Sequence, residues 1–113
     1  MRSPGQIAEK RVLKSIKARP QPRSGGIAGF PHDGVKGRWL IEIKSTQKRS
    51  IRIESEWLEK LFDNAIFQRK LPALIVSIEG GYVVQGREWV MIPRQTFDKL
   101  GLWEIKKPGK EKS

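Results

Sequence analysis

Asp33, Glu42 and Lys44 are the residues of this chain whose types and order suit chemistry. Asp33 lies in Pro31-His32-Asp33-Gly34. It precedes the run Trp39-Leu40-Ile41-Glu42-Ile43-Lys44, where one carboxylate and one ammonium interrupt an apolar strand. Side chains alternate along a strand, so Glu42 and Lys44 share a face, about 6.6–7 Å apart. Burying such a pair for structure alone is costly. Asp33 and Glu42 as direct ligands, with the Ile43 carbonyl as a third, offer oxygen donors to Mg²⁺, a hard cation that prefers oxygen and retains water. Lys44 beside them orients an attacking water or stabilises charge gathering on phosphorus. Glu9 approaches from the first predicted helix, as ligand to a second ion or through water. The chemistry this set suits is phosphodiester hydrolysis.

Each residue also has a plainer reading. Asp33 before Gly34 is what a turn asks for. Glu-x-Lys is an ordinary charged strand face. Glu9, early in a helix, is favoured there by the macrodipole. His32 is the only histidine. It cannot build a multi-histidine metal site and reads as a surface loop residue, with DNA contact as a secondary reading. Trp39, Trp57, Trp89 and Trp103 read as core or interface residues rather than base-stacking platforms. The sequence carries no Gly-rich phosphate loop and no nucleophile elbow. Having no cysteine, it makes no disulfide and holds no cysteine-ligated zinc.

The surroundings of these residues are basic. Lys and Arg number 23 against 12 Asp and Glu, a formal charge of +11. The excess is concentrated in residues 1–38, where Arg2, Lys10, Arg11, Lys14, Lys17, Arg19, Arg23, Lys36 and Arg38 face only Glu9 and Asp33. Such a surface attracts a polyanion, nucleic acid first and an anionic membrane or simple solubility second. Lys10, Arg11, Arg19, Arg23, Lys48 and Arg49 are the candidate DNA contacts. No apolar run approaches the roughly 20 residues that span a bilayer. Met1–Gln6 lacks the apolar segment of a signal peptide, so the expectation is a cytoplasmic protein with no membrane partner.

The elements that must position the site follow from pattern. Ser3-Pro4-Gly5-Gln6 reads as a capping box opening a helix to about Ala18, with residues 9, 12, 13 and 16 on one face. Arg19–Gly26 reads as a loop, and residues near 33–35 as a short strand. Lys36-Gly37 is the turn into a strand over 38–46, and Ile51-Arg52-Ile53 is a short alternating piece. Ser55 is the expected cap of a second helix to about Arg69. Leu71–Ile78 reads as a buried strand, Tyr82-Val83-Val84 and Glu88–Ile92 as two more, and Gln95–Leu100 as a closing helix. The order α-β-β-β-α-β-β-β-α predicts a single α/β domain over residues 1–103, a mixed β-sheet flanked by helices, with a basic tail at 104–113.

Glu9, Arg23-Ser24-Gly25-Gly26, Pro31-His32-Asp33 and Ile41-Glu42-Ile43-Lys44 resemble the ordered motifs of the PD-(D/E)xK nucleases. Within that superfamily the likeness is to archaeal-type Holliday-junction resolvases, in motif order and spacing over roughly residues 5–95. The resemblance implies a restriction-endonuclease-like fold and a Mg²⁺-dependent homodimer, with Mn²⁺ substituting, that nicks four-way junctions in symmetric pairs. It implies that Asp33, Glu42 and Lys44 are catalytic, that Glu9 helps bind metal, and that Ser24 lies in a DNA-contacting loop. One departure stands out: the family has its proline directly before the acid, and here His32 intervenes. The alternatives are another nuclease of the superfamily (a nickase, a flap or branch nuclease, or a restriction-like enzyme) or a non-catalytic DNA-binding protein.

Overall fold

The first helix starts where its capping box places it. The Gln6 N–H donates to Ser3 Oγ at 3.2 Å and the Ser3 N–H to Gln6 Oε1 at 2.9 Å, with Pro4 at the first helical position. This helix, α1 (Pro4–Ser15), stops short of the expected Ala18: Ile16 is its C-cap, and Lys17 adopts a left-handed φ of 58°. Ala8, Val12 and Leu13 form its buried stripe, and Glu9 lies half-buried at the margin. The computed structural model describes residues 3–21, 32–81 and 87–105.

The strands β1 (Arg19–Pro20), β2 (Gly34–Lys36), β3 (Trp39–Thr46), β4 (Leu71–Ile78) and β5 (Glu88–Met91) form one sheet in the order β1-β2-β3-β4-β5. The first three are an antiparallel meander, with Val35 opposite Leu40 and Gly34 opposite Ile41. Gly37 turns β2 into β3 at a φ of 57°, a region open to glycine at little steric cost. β3 and β4 are parallel, pairing Glu42 with Leu74 and Lys44 with Val76. Parallel neighbours need a crossover, supplied by α2 (Ser55–Phe67). β5 returns antiparallel to β4 and leads into α3 (Arg94–Lys99). The chain is therefore the expected α/β domain, a mixed sheet flanked by helices.

The two helices cover opposite faces. Val12 and Leu13 of α1 pack with Ile41, Ile43, Ala73 and Ile75, while Leu61 and Ala65 of α2 pack with Val35, Leu40, Leu74 and Val76. Covered on both sides, β4 reads as an apolar run interrupted only by Ser77. Each fully buried Leu or Val here contributes about 1.5–3 kcal/mol. Gly34 admits α1 onto the sheet, because a Cβ there would lie 2.5 Å from Leu13 Cδ2 and 3.1 Å from the Arg19 carbonyl. At the other end of α1, a Cβ on Gly5 would lie 4.0 Å from Ser45 Oγ. α1 thus runs antiparallel to β3, with Glu9 near the level of Ile43.

Several boundaries differ from expectation. Arg19–Pro20 is a short strand rather than loop, because Arg19 pairs with Val35. Ile51-Arg52-Ile53 is not a strand; both edges of β3 are already taken, and Ile51 and Ile53 instead pack on the α2-side core. Glu54, not Ser55, is the N-cap of α2, without a side-chain cap. That helix ends at Phe67, and Arg69 takes a φ of 58°. α3 opens at Arg94, and its Phe97 meets Trp103 of a following 3-10 turn edge-on at 5.0 Å. Of the tryptophans, Trp39 packs on the α1-side core, whereas Trp89 and Trp103 are exposed. The expected strand Tyr82-Val83-Val84 and residues 106–113 of the tail lie outside the described residues. Among the described residues, no helix is long and apolar enough to cross a membrane.

Candidate functional site

The site is built where β2 runs out. On β3, the residues that face β2 through their backbone groups alternate, so Ile41 and Ile43 point their N–H and C=O toward that edge. The Asp33 N–H still donates to the Ile41 carbonyl at 3.0 Å. One rung further, strand pairing has ended, and the Ile43 N–H would lack a partner. Asp33 supplies it: Oδ2 accepts the Ile43 N–H at 2.6 Å. A carboxylate that is 3% exposed thus substitutes for a backbone rung. The same alternation leaves the Ile43 carbonyl on this edge, beside Asp33.

Glu42 and Lys44 project from β3 on the α2 side, as alternation predicts. Lys44 Nζ lies 3.2 Å from Glu42 Oε2 and 4.5 Å from the ring centre of Trp57 on α2. Trp57 thereby shields one side of the ammonium and adds a cation–π attraction. These groups line a cleft of about 360 Å³ with His32, Glu56, Lys60 and Asn64.

His32 corrects the sequence reading. It is not a surface loop residue; it is 5% exposed, with Nδ1 2.8 Å from Glu42 Oε1 and Nε2 3.0 Å from Asn64 Nδ2. A lone histidine carries no periodic signal, and its partner Asn64 is supplied by a helix distant in sequence. The cue that was available is its position beside Asp33. Burial alone would push the Glu42 carboxyl up, but the His32 hydrogen bond and the Lys44 charge together hold it below the usual carboxylate range. Glu42 is therefore an ionised, oriented carboxylate at neutral pH.

The expected residues do not all converge. Asp33 binds the Ile43 N–H at the end of β2, and Glu42 pairs with Lys44 on the α2 face of β3. Glu9 stands near the same level along β3, on the helix covering the opposite face, and is half-buried. Among the described residues, no three His, Asp or Glu side chains converge into a ready metal cage. Mg²⁺ needs less, being held by one or two carboxylates together with waters and substrate phosphate. Asp33, Glu42 and the Ile43 carbonyl are the oxygen donors at this end of β3, with Asp33 held on the Ile43 N–H at the strand edge and Glu42 on the α2 face.

The basic residues divide. Lys10, Arg19, Lys48 and Arg49 are exposed. Arg11 is engaged with acids: its guanidinium donates to both Glu79 oxygens at 3.1 and 2.8 Å, to Ser77 Oγ at 3.1 Å and to Glu88 at 3.3 Å. The Arg11 hydrogen bond holds the Glu79 carboxyl below its ordinary range against the opposing effect of burial, and Ser77 donates to the same carboxylate. Arg23 and Ser24 lie outside the described residues. No protein-family model, curated protein or solved structure matches this chain.

Proposed function

We propose that this chain is a Mg²⁺-dependent, structure-selective DNA endonuclease of PD-(D/E)xK type, a Holliday-junction resolvase by resemblance. The observation that carries the reading is the Glu42–Lys44 pair, 3.2 Å apart on β3, with Asp33 held at the end of β2 on the N–H of Ile43, the residue between them. Asp33, Glu42 and the Ile43 carbonyl would hold the cation, with Glu9 acting from the α1 side through water. Bound there, Mg²⁺ supplies Lewis acidity toward the phosphate, and Mn²⁺ would substitute.

The rest is done by the chain itself. Glu42, kept ionised by His32 and Lys44, offers a fixed negative oxygen. Lys44, steadied between Glu42 and Trp57, presents a positive charge where a phosphate oxygen gains charge. Lys10, Arg19, Lys48 and Arg49, with Arg23 and Ser24, would track the phosphate backbone and make binding fall steeply with salt. Pairing of two copies suits paired nicks in a two-fold junction. Among the described residues β5 is an edge strand, with Trp89, Val90 and Met91 exposed, and supports such pairing. A monomer by sedimentation, with and without junction DNA, would remove the dimer.

One observation favours a second reading. Both Glu42 oxygens have protein partners, and the Asp33 carboxylate completes a backbone ladder, so the acids could be structural in a non-catalytic DNA-binding protein. Glu42→Gln separates the two readings. The nuclease loses cleavage and keeps or gains affinity for DNA, because a negative charge near phosphate is gone. A DNA-binding protein cleaves nothing under any divalent metal, before or after the change.

A further inference from the structure

We infer that His32 is a positioning residue: held in its Nδ1–H form by Asn64, it fixes one oxygen of Glu42 and leaves Oε2 as the oxygen that Glu42 presents beside Lys44. What this positioning serves rests on the hydrolase reading above; the relay itself does not depend on that reading.

The direction of each hydrogen bond follows from the next. The Lys60 carbonyl only accepts, so its contact with the Asn64 side chain at 2.9 Å is made by Nδ2–H. That fixes which end of the amide is nitrogen. The second Nδ2 hydrogen is then available to His32 Nε2, 3.0 Å away. A ring nitrogen that accepts a hydrogen bond must carry a lone pair, so in the neutral imidazole the proton sits on Nδ1. There it lies 2.8 Å from Glu42 Oε1, and a carboxylate accepts. Both neighbours of the ring demand the same tautomer. With the side chain 7% exposed, water competes little for either nitrogen.

The relay therefore runs from the α2 backbone at Lys60, through Asn64 and His32, to Glu42 on β3. Its effect is to pin the carboxylate in one orientation. Oε1 is committed to the imidazole, and Oε2 stands 3.2 Å from Lys44 Nζ. Glu42 would thus meet a cation or a water through a single oxygen. Any shift of α2 along the sheet would loosen that aim. His32 here supports a neighbouring ligand from the side, as outer partners do at metal sites.

The chain has one histidine, so a long-range ¹H–¹⁵N spectrum of the metal-free protein reports this ring alone. At mildly alkaline pH, where a free imidazole is neutral, the expected result is a protonated Nδ1 and a bare Nε2. That is the reverse of the form a free imidazole prefers in water. Removing both demands in an Asn64→Leu, Glu42→Leu double variant should return the spectrum toward the free mixture. An Nε2–H ring in the unmodified protein overturns the inference. The cleavage arm compares His32→Asn, whose amide N–H falls near the place of Nδ1, with His32→Gln, whose N–H falls near that of Nε2. His32→Gln should lower kcat about 10–100-fold, the usual loss for a partner that orients a ligand. His32→Asn should retain most of the activity, with KM for DNA unchanged in both. Equal losses in the two variants, or a loss confined to KM, would overturn the positioning role. If the unmodified protein cleaves no DNA, the spectrum still decides the relay, and only the hydrolase reading falls.

Discussion

Asp33 has a role in the fold and a proposed role in the chemistry, and substitution can separate the two. Asp33→Ala removes the acceptor that lies 2.6 Å from the Ile43 N–H, in a place only 3% exposed, where water is a poor replacement. An orphaned buried N–H costs about 1–3 kcal/mol. For a chain of this size, at about 4 °C per kcal/mol, Tm should fall by about 4–12 °C. Asp33→Asn keeps an oxygen for the same N–H. It gives up the charge-assisted part of the bond but also relieves a buried carboxylate of its desolvation, so the net change should stay within about 1 kcal/mol. Cleavage of DNA should fall to background in both. The assays are thermal or urea unfolding and single-turnover cleavage in Mg²⁺. An Asp33→Ala variant as stable as the parent refutes the ladder-completing bond, and an Asp33→Asn variant that cuts normally refutes the catalytic role.

Three other outcomes are expected. Gly34→Ala should destabilise by about 1–3 kcal/mol, the range for overpacking, because the added Cβ meets Leu13 and the Arg19 carbonyl; unchanged urea midpoints would contradict the close seating of α1. Trp57→Leu removes the ring 4.5 Å from Lys44, worth about 0.5–2 kcal/mol, and should slow single-turnover cleavage severalfold with little effect on DNA affinity; loss of affinity alone would refute the placement. Glu42 and Glu79 both have folded pKa values below their unfolded ones, so the unfolded chain binds more protons as the medium turns acid. Their stabilisation is complete above the ordinary Glu pKa of about 4.3 and is lost as pH falls through the lower folded values. Urea midpoints should therefore drop below that pH, and drop less steeply in Glu79→Gln; an identical acid profile for that variant would contradict the Arg11–Glu79 pairing.

How much of this was legible in the chain depended on the range of the interactions. The Ser3–Gln6 capping box is complete within four residues, and it forms as read. Leu71–Ile78 matched residue for residue, because a strand buried on both faces writes its environment as a largely apolar run, here broken only by Ser77. Glu42 and Lys44 share a face because strand alternation is local geometry. Ile51-Arg52-Ile53 alternates just as well and is no strand, since pairing needs a free edge that the pattern cannot reveal. The bonds of His32 with Asn64 and of Arg11 with Glu79 were not legible, for a related reason. Their partners lie far along the chain, and only packing of α2 and α1 on opposite faces of the sheet brings them into reach. Asp33 was legible as an acid in the right order, but its service to the Ile43 N–H appears only once β2 is seen to end.

The most direct measurement of the central claim is cleavage of a labelled immobile four-way junction and the matching linear duplex, each in Mg²⁺ and in EDTA. Paired, symmetric nicks are expected in the junction alone and only with Mg²⁺. Tight binding of the junction with no cutting under any divalent metal would contradict it.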